Sequence, residues 1–380
     1  MIIDSHKRPF GKASKVSLFT LGTMRATENI NKMYKIIKYA HHAGINHIET
    51  AATYGNAEKL VGDALKLLEC TENVPKNNWI ITTKVLPKGN FEYLKENFKN
   101  SLKNLNLTKV NNLAIHGINL NKHLEWVLDG EGKKFLKWAL EIGLVEQIGF
   151  SSHGSYELIE KAINCGQFDF CNLHLHLLDQ SKINLAHMAL KKNMGVLAIS
   201  PADKGGRLYD PSEFLIKSSK PFHPLELAYR FLISEGITTL SLGATKFEDF
   251  IIAKKLANSF HQLTQQEVIA LNNIEKSSNE KLKQTKCEQC RSCLPCPTEI
   301  PIPEILRLRN ICIGHGQYEF AKERYNLIGM ASHWWEEKNA SSCLECGECI
   351  PKCPNNLNIP YLLKQTHDLL VERPKKRLWD

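Results

Sequence analysis

No stretch of this sequence approaches the roughly eighteen consecutive apolar residues of a membrane-spanning helix, so no membrane partner is expected. The first residues, with His6, Lys7, Arg8 and Lys12, lack the apolar core of a secretory signal, and a cytoplasmic protein is the expectation. No glycine-rich turn follows the first strand-like segment, which argues against a doubly wound dinucleotide-binding sheet. Arginine-rich stripes and nucleic-acid recognition motifs are missing too. The formal charge of +9 is spread along the chain and reads as a solvated basic surface. It suits the steering of an acidic redox partner protein, and no nucleic acid is expected as a partner. Cysteine is scarce over the first 280 residues, where only Cys70, Cys165 and Cys171 occur, whereas nine of the twelve crowd into the last hundred. That asymmetry is what a local metal-binding module produces, and it argues against the disulfide framework of a small secreted domain.

With 43% hydrophobic and 23% charged residues, the 380-residue chain can bury a sizeable core, and its length suits one large domain followed by a small one. Short apolar, β-branched runs occur at residues 16–21, 45–51, 79–85, 110–116, 145–151, 168–175, 195–200 and 238–244. Between them lie stretches of helical period, such as 30–43, 57–70, 91–105 and 156–165, several ending in glycine (Gly44, Gly143, Gly166). Eight strands in βα alternation predict an α/β fold, a (β/α)8 TIM barrel, over residues 1–279. Residues 276–286 turn polar and read as a helix end and linker. Residues 280–380 then form a small, mainly α-helical domain.

The eight cysteines of that domain fall into two runs. Cys287, Cys290, Cys293 and Cys296 precede Pro297; Cys343, Cys346, Cys349 and Cys353 precede Pro354. Three cysteines at i, i+3 and i+6 can wrap three corners of a cubane, and the fourth, before proline, typically ligates the other cluster. The pattern resembles a two-cluster bacterial ferredoxin. Two [4Fe-4S] clusters are expected, on Cys287, Cys290, Cys293 with Cys353, and on Cys343, Cys346, Cys349 with Cys296. Zinc is the competing reading, but its knuckles need only paired cysteines. Cys312 and the three cysteines before residue 280 read as buried small apolar residues. Trp334 and Trp335 read as packing at the domain junction.

In a TIM barrel the chemistry sits at the C-terminal strand ends. Here those ends carry Glu49 with Tyr54 just beyond, Lys84, His116, Ser151, Ser152 and His153, Asn172, His174 and His176, and Ser200 through Lys204. The histidines His153, His174 and His176 read as polar lining of the mouth, with metal binding as the rival. Residues 44–51 (GINHIETA), 54–58 (YGNAE), 83–85 (TKV), His116, 148–153 (IGFSSH) and 205–208 (GGRL) resemble the aldo/keto reductase family. With the cysteine module appended, the chain resembles that family's ferredoxin-bearing branch. The resemblance implies an oxidoreductase acting on a carbonyl or alcohol, with Tyr54 as proton donor, Lys84 lowering its pKa, Glu49 holding Lys84 and His116 orienting the carbonyl oxygen. It further implies NADP(H), held near Ser151, Ser152, Asn172, Ser200, Lys204, Gly243 and Thr245.

The chain departs from that pattern in three places: Glu49 replaces an aspartate, Ile199 an aromatic, and Ala244, Thr245 and Phe250 the usual Lys-Ser and arginine. Hydride moves two electrons together while each cluster takes one, so a flavin is a further candidate cofactor. The alternative reading is an electron-transfer or redox-sensing iron–sulfur protein whose barrel has lost nicotinamide-dependent activity.

Overall fold

β-branched and apolar runs build ten strands: β1 (Arg8–Phe10), β2 (Ser14–Val16), β3 (Phe19–Gly22), β4 (His47–Glu49), β5 (Ile80–Val85), β6 (Val110–His116), β7 (Val145–Ser152), β8 (Phe170–His174), β9 (Gly195–Ile199) and β10 (Thr239–Leu242). In this computed structural model the described residues are 7–203, 207–257, 262–329 and 338–372. Lys204 to Gly206, and Trp334 with Trp335, therefore lie outside the described residues. Strands β3 to β10 close a parallel barrel in sequence order, with β10 pairing back onto β3. All eight strand-like segments read from the sequence are barrel strands. Sequence alone did not suggest the antiparallel hairpin β1–β2.

That hairpin belongs to the barrel's own core. Phe10 is fully buried with Val16, Ala114, Phe170 and Leu197. Its ring lies so near Gly195 that a Cβ there would fall 2.5 Å from it, which is why only glycine can open β9. Above this apolar layer runs a polar one. His47 bridges the Thr20 and Thr82 hydroxyls at 2.7 Å each, and Asn112 Nδ2 donates to Thr82 at 2.9 Å. Gln147 Nε2 donates to Asn112 Oδ1 and to the Phe10 carbonyl, both at 2.8 Å. Burial, with Lys84 adding to it, holds the His47 pKa down at about 3, so the imidazole is neutral and offers one donor and one acceptor. Every member of the layer has a partner, as buried polar groups require.

Helices α1 (Ile30–His42), α2 (Ala57–Glu72), α3 (Phe91–Asn104), α4 (Asn121–Leu128), α5 (Glu131–Glu141), α6 (Tyr156–Asn164) and α7 (Ile183–Lys191) alternate with the strands. They are followed by α8 (Glu213–Ser218), α9 (Pro224–Ser234), α10 (Asp249–Leu256), α11 (Gln265–Leu282), α12 (Ile302–Arg309), α13 (Tyr318–Asn326) and α14 (Ile359–Leu370). Glycines 44, 143 and 166 all take positive φ just past a helix end. The chain divides into two compact units, Met1–Gly206 with Ala228–Gln262, and Arg207–Leu227 with Leu263–Asp380.

The polar segment 276–286 holds the expected helix end, which lies at Leu282 because Ala270, Ile274, Ser278 and Leu282 form a buried stripe that outweighs the charged face. The reading of the four lone cysteines as buried is corrected for two of them. Cys70 is exposed and Cys165 only half-buried, whereas Cys171 and Cys312 are buried. Cys70 lies off the buried stripe of α2, which ends in Leu65 and Leu68.

Candidate functional site

Glu49 ends β4, Lys84 lies one residue short of the end of β5, and His116 ends β6. Tyr54 stands in the turn before α2. Lys84 uses all three of its protons here. Its Nζ forms a buried ion pair with Glu49 Oε1 and donates to Tyr54 Oη at 2.9 Å and to the Thr50 carbonyl at 3.1 Å. Asn172 Nδ2 donates to the same Glu49 oxygen at 3.2 Å, from 123 residues away in sequence. The Tyr54 and His116 rings meet edge to face with centroids 5.6 Å apart. Thr53, which sequence reasoning missed, places its hydroxyl 3.1 Å from His116 Nδ1.

The charges of this group are coupled. Burial acts to lower the Lys84 pKa, but Glu49 and Tyr54 outweigh it and leave the ammonium firmly protonated. Burial and then Glu49 push the Tyr54 pKa above its ordinary value, while Lys84 pulls it down. The expected lowering of Tyr54 is thus corrected: Lys84 acts in that direction, but desolvation of the phenolate is the larger effect. Burial, and then Lys84, bring His116 down to about 3, so the ring is neutral.

A model of the aldo/keto reductase family matches residues 19–214, more than half of the chain. The chain belongs to the aldo/keto reductase family. Among curated proteins it is similar to an NAD/NADP-dependent indole-3-acetaldehyde reductase of Schizosaccharomyces pombe, at 34% identity over 116 residues. That match spans 30% of this chain and 38% of the relative, well short of the relative's full length. Among solved structures, the holo form of an aldo-keto reductase from Bacillus halodurans aligns with TM-score 0.59 and 20% identity, over 70% of this chain and 95% of that one. A Bombyx mori aldo-keto reductase in complex with NADP aligns with TM-score 0.56 and 21% identity, over 70% and 91%. At such identities these structures establish the shared barrel fold.

The remaining positions expected to hold a nicotinamide cofactor differ in how free they are. Ser151 Oγ accepts the Gly117 N–H at 3.0 Å, and Ser152 Oγ accepts that of Gly154 at 2.9 Å while donating to the Ile118 carbonyl, so both hydroxyls already fix the loop after β6. Asn172 Oδ1, in contrast, is buried and has no hydrogen-bond partner among the described residues. Ser200 has φ 55° and its carbonyl lies 2.7 Å from His176 Nδ1. Gly243 lies against Arg25. Asp249 accepts the backbone N–H groups of Thr245 at 2.8 Å and Lys246 at 3.2 Å, together with the Thr245 hydroxyl at 3.2 Å. A carboxylate of the chain itself therefore holds the donors of that loop. His153 and His174 bring their Nε2 atoms to 3.3 Å at the mouth.

In the second unit, one cavity is lined by Cys287, Cys290, Cys293 and Cys353, with Leu306, Leu357 and Ile359 among its walls. Burial pushes Cys287 up to about 11, and its neighbours Cys290 and Cys353 add to the effect. Cys293 is pushed up to about 12, again chiefly by burial. Cys349 is raised by burial and by the proximity of Cys343, Cys346 and Cys296. Among the described residues no three His, Cys, Asp or Glu side chains converge tightly enough to hold one metal ion. A tetrahedral ion with metal–sulfur bonds of about 2.3 Å needs sulfurs about 3.8 Å apart, whereas a cubane holds its thiolates at separate corners and keeps them farther apart.

The two cysteine runs are an internal repeat that spacing alone had not revealed. Gln289 and Arg291 flank Cys290 with φ 60° and 65°; Glu345 and Gly347 flank Cys346 with φ 53° and 75°. Glu299 and Asn356, each three residues past the fourth cysteine, are also left-handed and donate back to the Cys296 and Cys353 carbonyls at 3.0 Å. Helices α12 and α14 then both begin with Ile-Pro. The recurrence of Cys-Pro, two residues, an aliphatic, one residue and Ile-Pro was the readable signal. Asn310 clamps the backbone of Cys287 from both sides, at 2.8 and 3.4 Å, and Arg309 grips Thr285 just before it.

Proposed function

We propose that this chain is an oxidoreductase that interconverts a small carbonyl compound and its alcohol with a nicotinamide cofactor, and that its second unit carries two [4Fe-4S] clusters. The single observation that carries the catalytic part is the Lys84 ammonium wedged between the Glu49 carboxylate and the Tyr54 hydroxyl at 2.9 Å. Tyr54, with a pKa raised by burial and then by Glu49, carries at neutral pH the proton it would donate. As Oη gives that proton to a carbonyl oxygen, Lys84 stabilises the phenolate left behind, so the interaction is stronger in the transition state than in the ground state. Neutral His116, with Nδ1 engaged by Thr53, has Nε2 to offer to the same oxygen. A bound nicotinamide would supply the hydride. Asn172 Oδ1 fits a carboxamide N–H, since a buried acceptor otherwise remains unsatisfied. An aldehyde is the substrate class suggested by the Schizosaccharomyces pombe relative's name.

The cluster assignment is supported by the cavity lined by Cys287, Cys290, Cys293 and Cys353, the first of the cross-ligated sets. Thiols held up by burial release protons when iron binds, so loading is coupled to pH. The holoprotein should consume NADPH or NADH when given small aldehydes, and Tyr54→Phe should lose about 10²–10⁴ of that rate. Undiminished turnover by the variant would refute the proton-donor role. Anaerobic reconstitution should give about eight irons per chain, four for each cluster.

A second reading, an electron-transfer or sensing protein without nicotinamide chemistry, is favoured by Asp249 holding the donors of the loop after β10. It requires that neither NADH nor NADPH bind saturably to the holoprotein.

A further inference from the structure

The repeat in the second unit allows its two cysteine sets to be compared position by position. The backbone turns match. Sulfur hydrogen bonding does not: Cys287 Sγ has the Gln289 side-chain Nε2 at 3.4 Å and the Gln289 backbone N–H, whereas Cys296 Sγ has the Thr298 hydroxyl at 3.4 Å and the backbone N–H groups of both Thr298 and Ile300. The side-chain charges differ. Between Cys287 and Cys293 stand Glu288, neutralised by Lys286 at 3.3 Å, and Arg291, which makes no ion pair among the described residues. Between Cys343 and Cys349 stand Glu345 and Glu348, neither of which has an ion-pair partner among the described residues. Glu348 acts electrostatically on Cys296, the fourth cysteine of its set, as Glu288 does on Cys287, but Glu288 has the Lys286 ammonium beside it. Lys352 precedes Cys353, which belongs to the opposite set.

We infer that the two clusters are electrochemically inequivalent: the one on Cys343, Cys346, Cys349 and Cys296 has the lower reduction potential, set by Glu348 and Glu345, and the one on Cys287, Cys290, Cys293 and Cys353 the higher, set by Arg291. This rests on the reading that both sets bind [4Fe-4S] clusters. Each reduction adds one electron to one cluster, from an external one-electron reductant, and makes the cluster more negative. Nearby carboxylates disfavour that step and a guanidinium favours it. Burial opposes this ordering, because Cys293 is buried where Cys349 is half-buried, and so does the extra backbone N–H at Cys296. Each of these differences concerns one sulfur, whereas the charge difference involves three side chains, so charge decides. All three are exposed, so added salt should narrow the gap.

The test is a dithionite titration of the reconstituted full chain, followed by electron paramagnetic resonance, for the unmodified protein, Glu348→Gln and Arg291→Gln. Two one-electron waves are expected. Glu348→Gln should raise the lower midpoint and leave the upper one in place, and Arg291→Gln should lower the upper midpoint alone. A single unresolved wave, a shift of the upper midpoint in Glu348→Gln, or no shift in either variant overturns the inference while leaving the clusters standing. A chain that takes up no iron and sulfide overturns the cluster reading and this inference with it.

Discussion

The barrel mouth and the cysteine module reach their chemistry by opposite routes. At the mouth, Glu49, Lys84, His116 and Asn172 come from four strands, and contacts spanning up to 123 residues bring them together. In the module, two short loops set the sulfurs by local backbone turns, and the same turns recur in each loop. At the mouth the Lys84 ammonium already has its three acceptors, while Asn172 Oδ1 has none among the described residues. The module instead holds Cys287 and Cys293 against an apolar cluster of Ile302, Leu306, Leu357 and Ile359, where burial raises their pKa. Distant residues thus assemble a charge network, whereas neighbouring residues set two like loops.

Breaking the mouth should have the largest effect. Tyr54→Phe should lower the aldehyde-reduction rate by about 10²–10⁴ without loss of stability, checked by steady-state kinetics beside thermal unfolding. Lys84→Met should abolish activity and also destabilise the barrel by about 3–5 kcal/mol, because it strands a buried Glu49 carboxylate. Adding Glu49→Leu should recover much of that stability in denaturant titrations but none of the activity.

With the proposed clusters reconstituted, removing their iron sharpens the contrast. Chelation should lower the protection of amide hydrogens in residues 287–309 and 343–370 while leaving the barrel strands unchanged; equal loss in both units would erase the distinction. A milder probe is pH. The rate of carbonyl reduction should stay level through neutrality and fall only as pH rises past Tyr54's raised pKa, since the proton donor is present below it and lost above it. His116, neutral down to about 3, should add no limb near pH 6. The smallest effect is expected from Asn310→Ala, which removes the clamp on Cys287 and should cost about 1 kcal/mol of second-unit stability.

The eight barrel strands were legible because β-branched runs alternate with helical stretches closed by glycine, and the positions of Glu49, Lys84 and His116 because they fall at or next to strand ends. Less was legible where contacts cross the chain. The hairpin holding Phe10 is three residues a side, too short to show a period. Thr53 looks like an ordinary turn residue and Asp249 like an ordinary helix-start carboxylate until one lies beside His116 and the other takes the amides of Thr245 and Lys246. The direction of the Tyr54 shift was misjudged for a related reason: a sequence shows that a lysine is available, but not how much water the tyrosine loses.

The sequence by itself determined the number of barrel strands, the spacing of the cysteines and the identity of the charged groups at the strand ends, because these follow from local period and pattern. Only the tertiary structure decided that Lys84 spends its protons on Glu49, Thr50 and Tyr54, that Asn172 keeps a buried acceptor open, and that Cys353 shares a cavity with Cys287. The reason is physical: desolvation and Coulomb attraction depend on distance through space, and chain position alone does not set that distance.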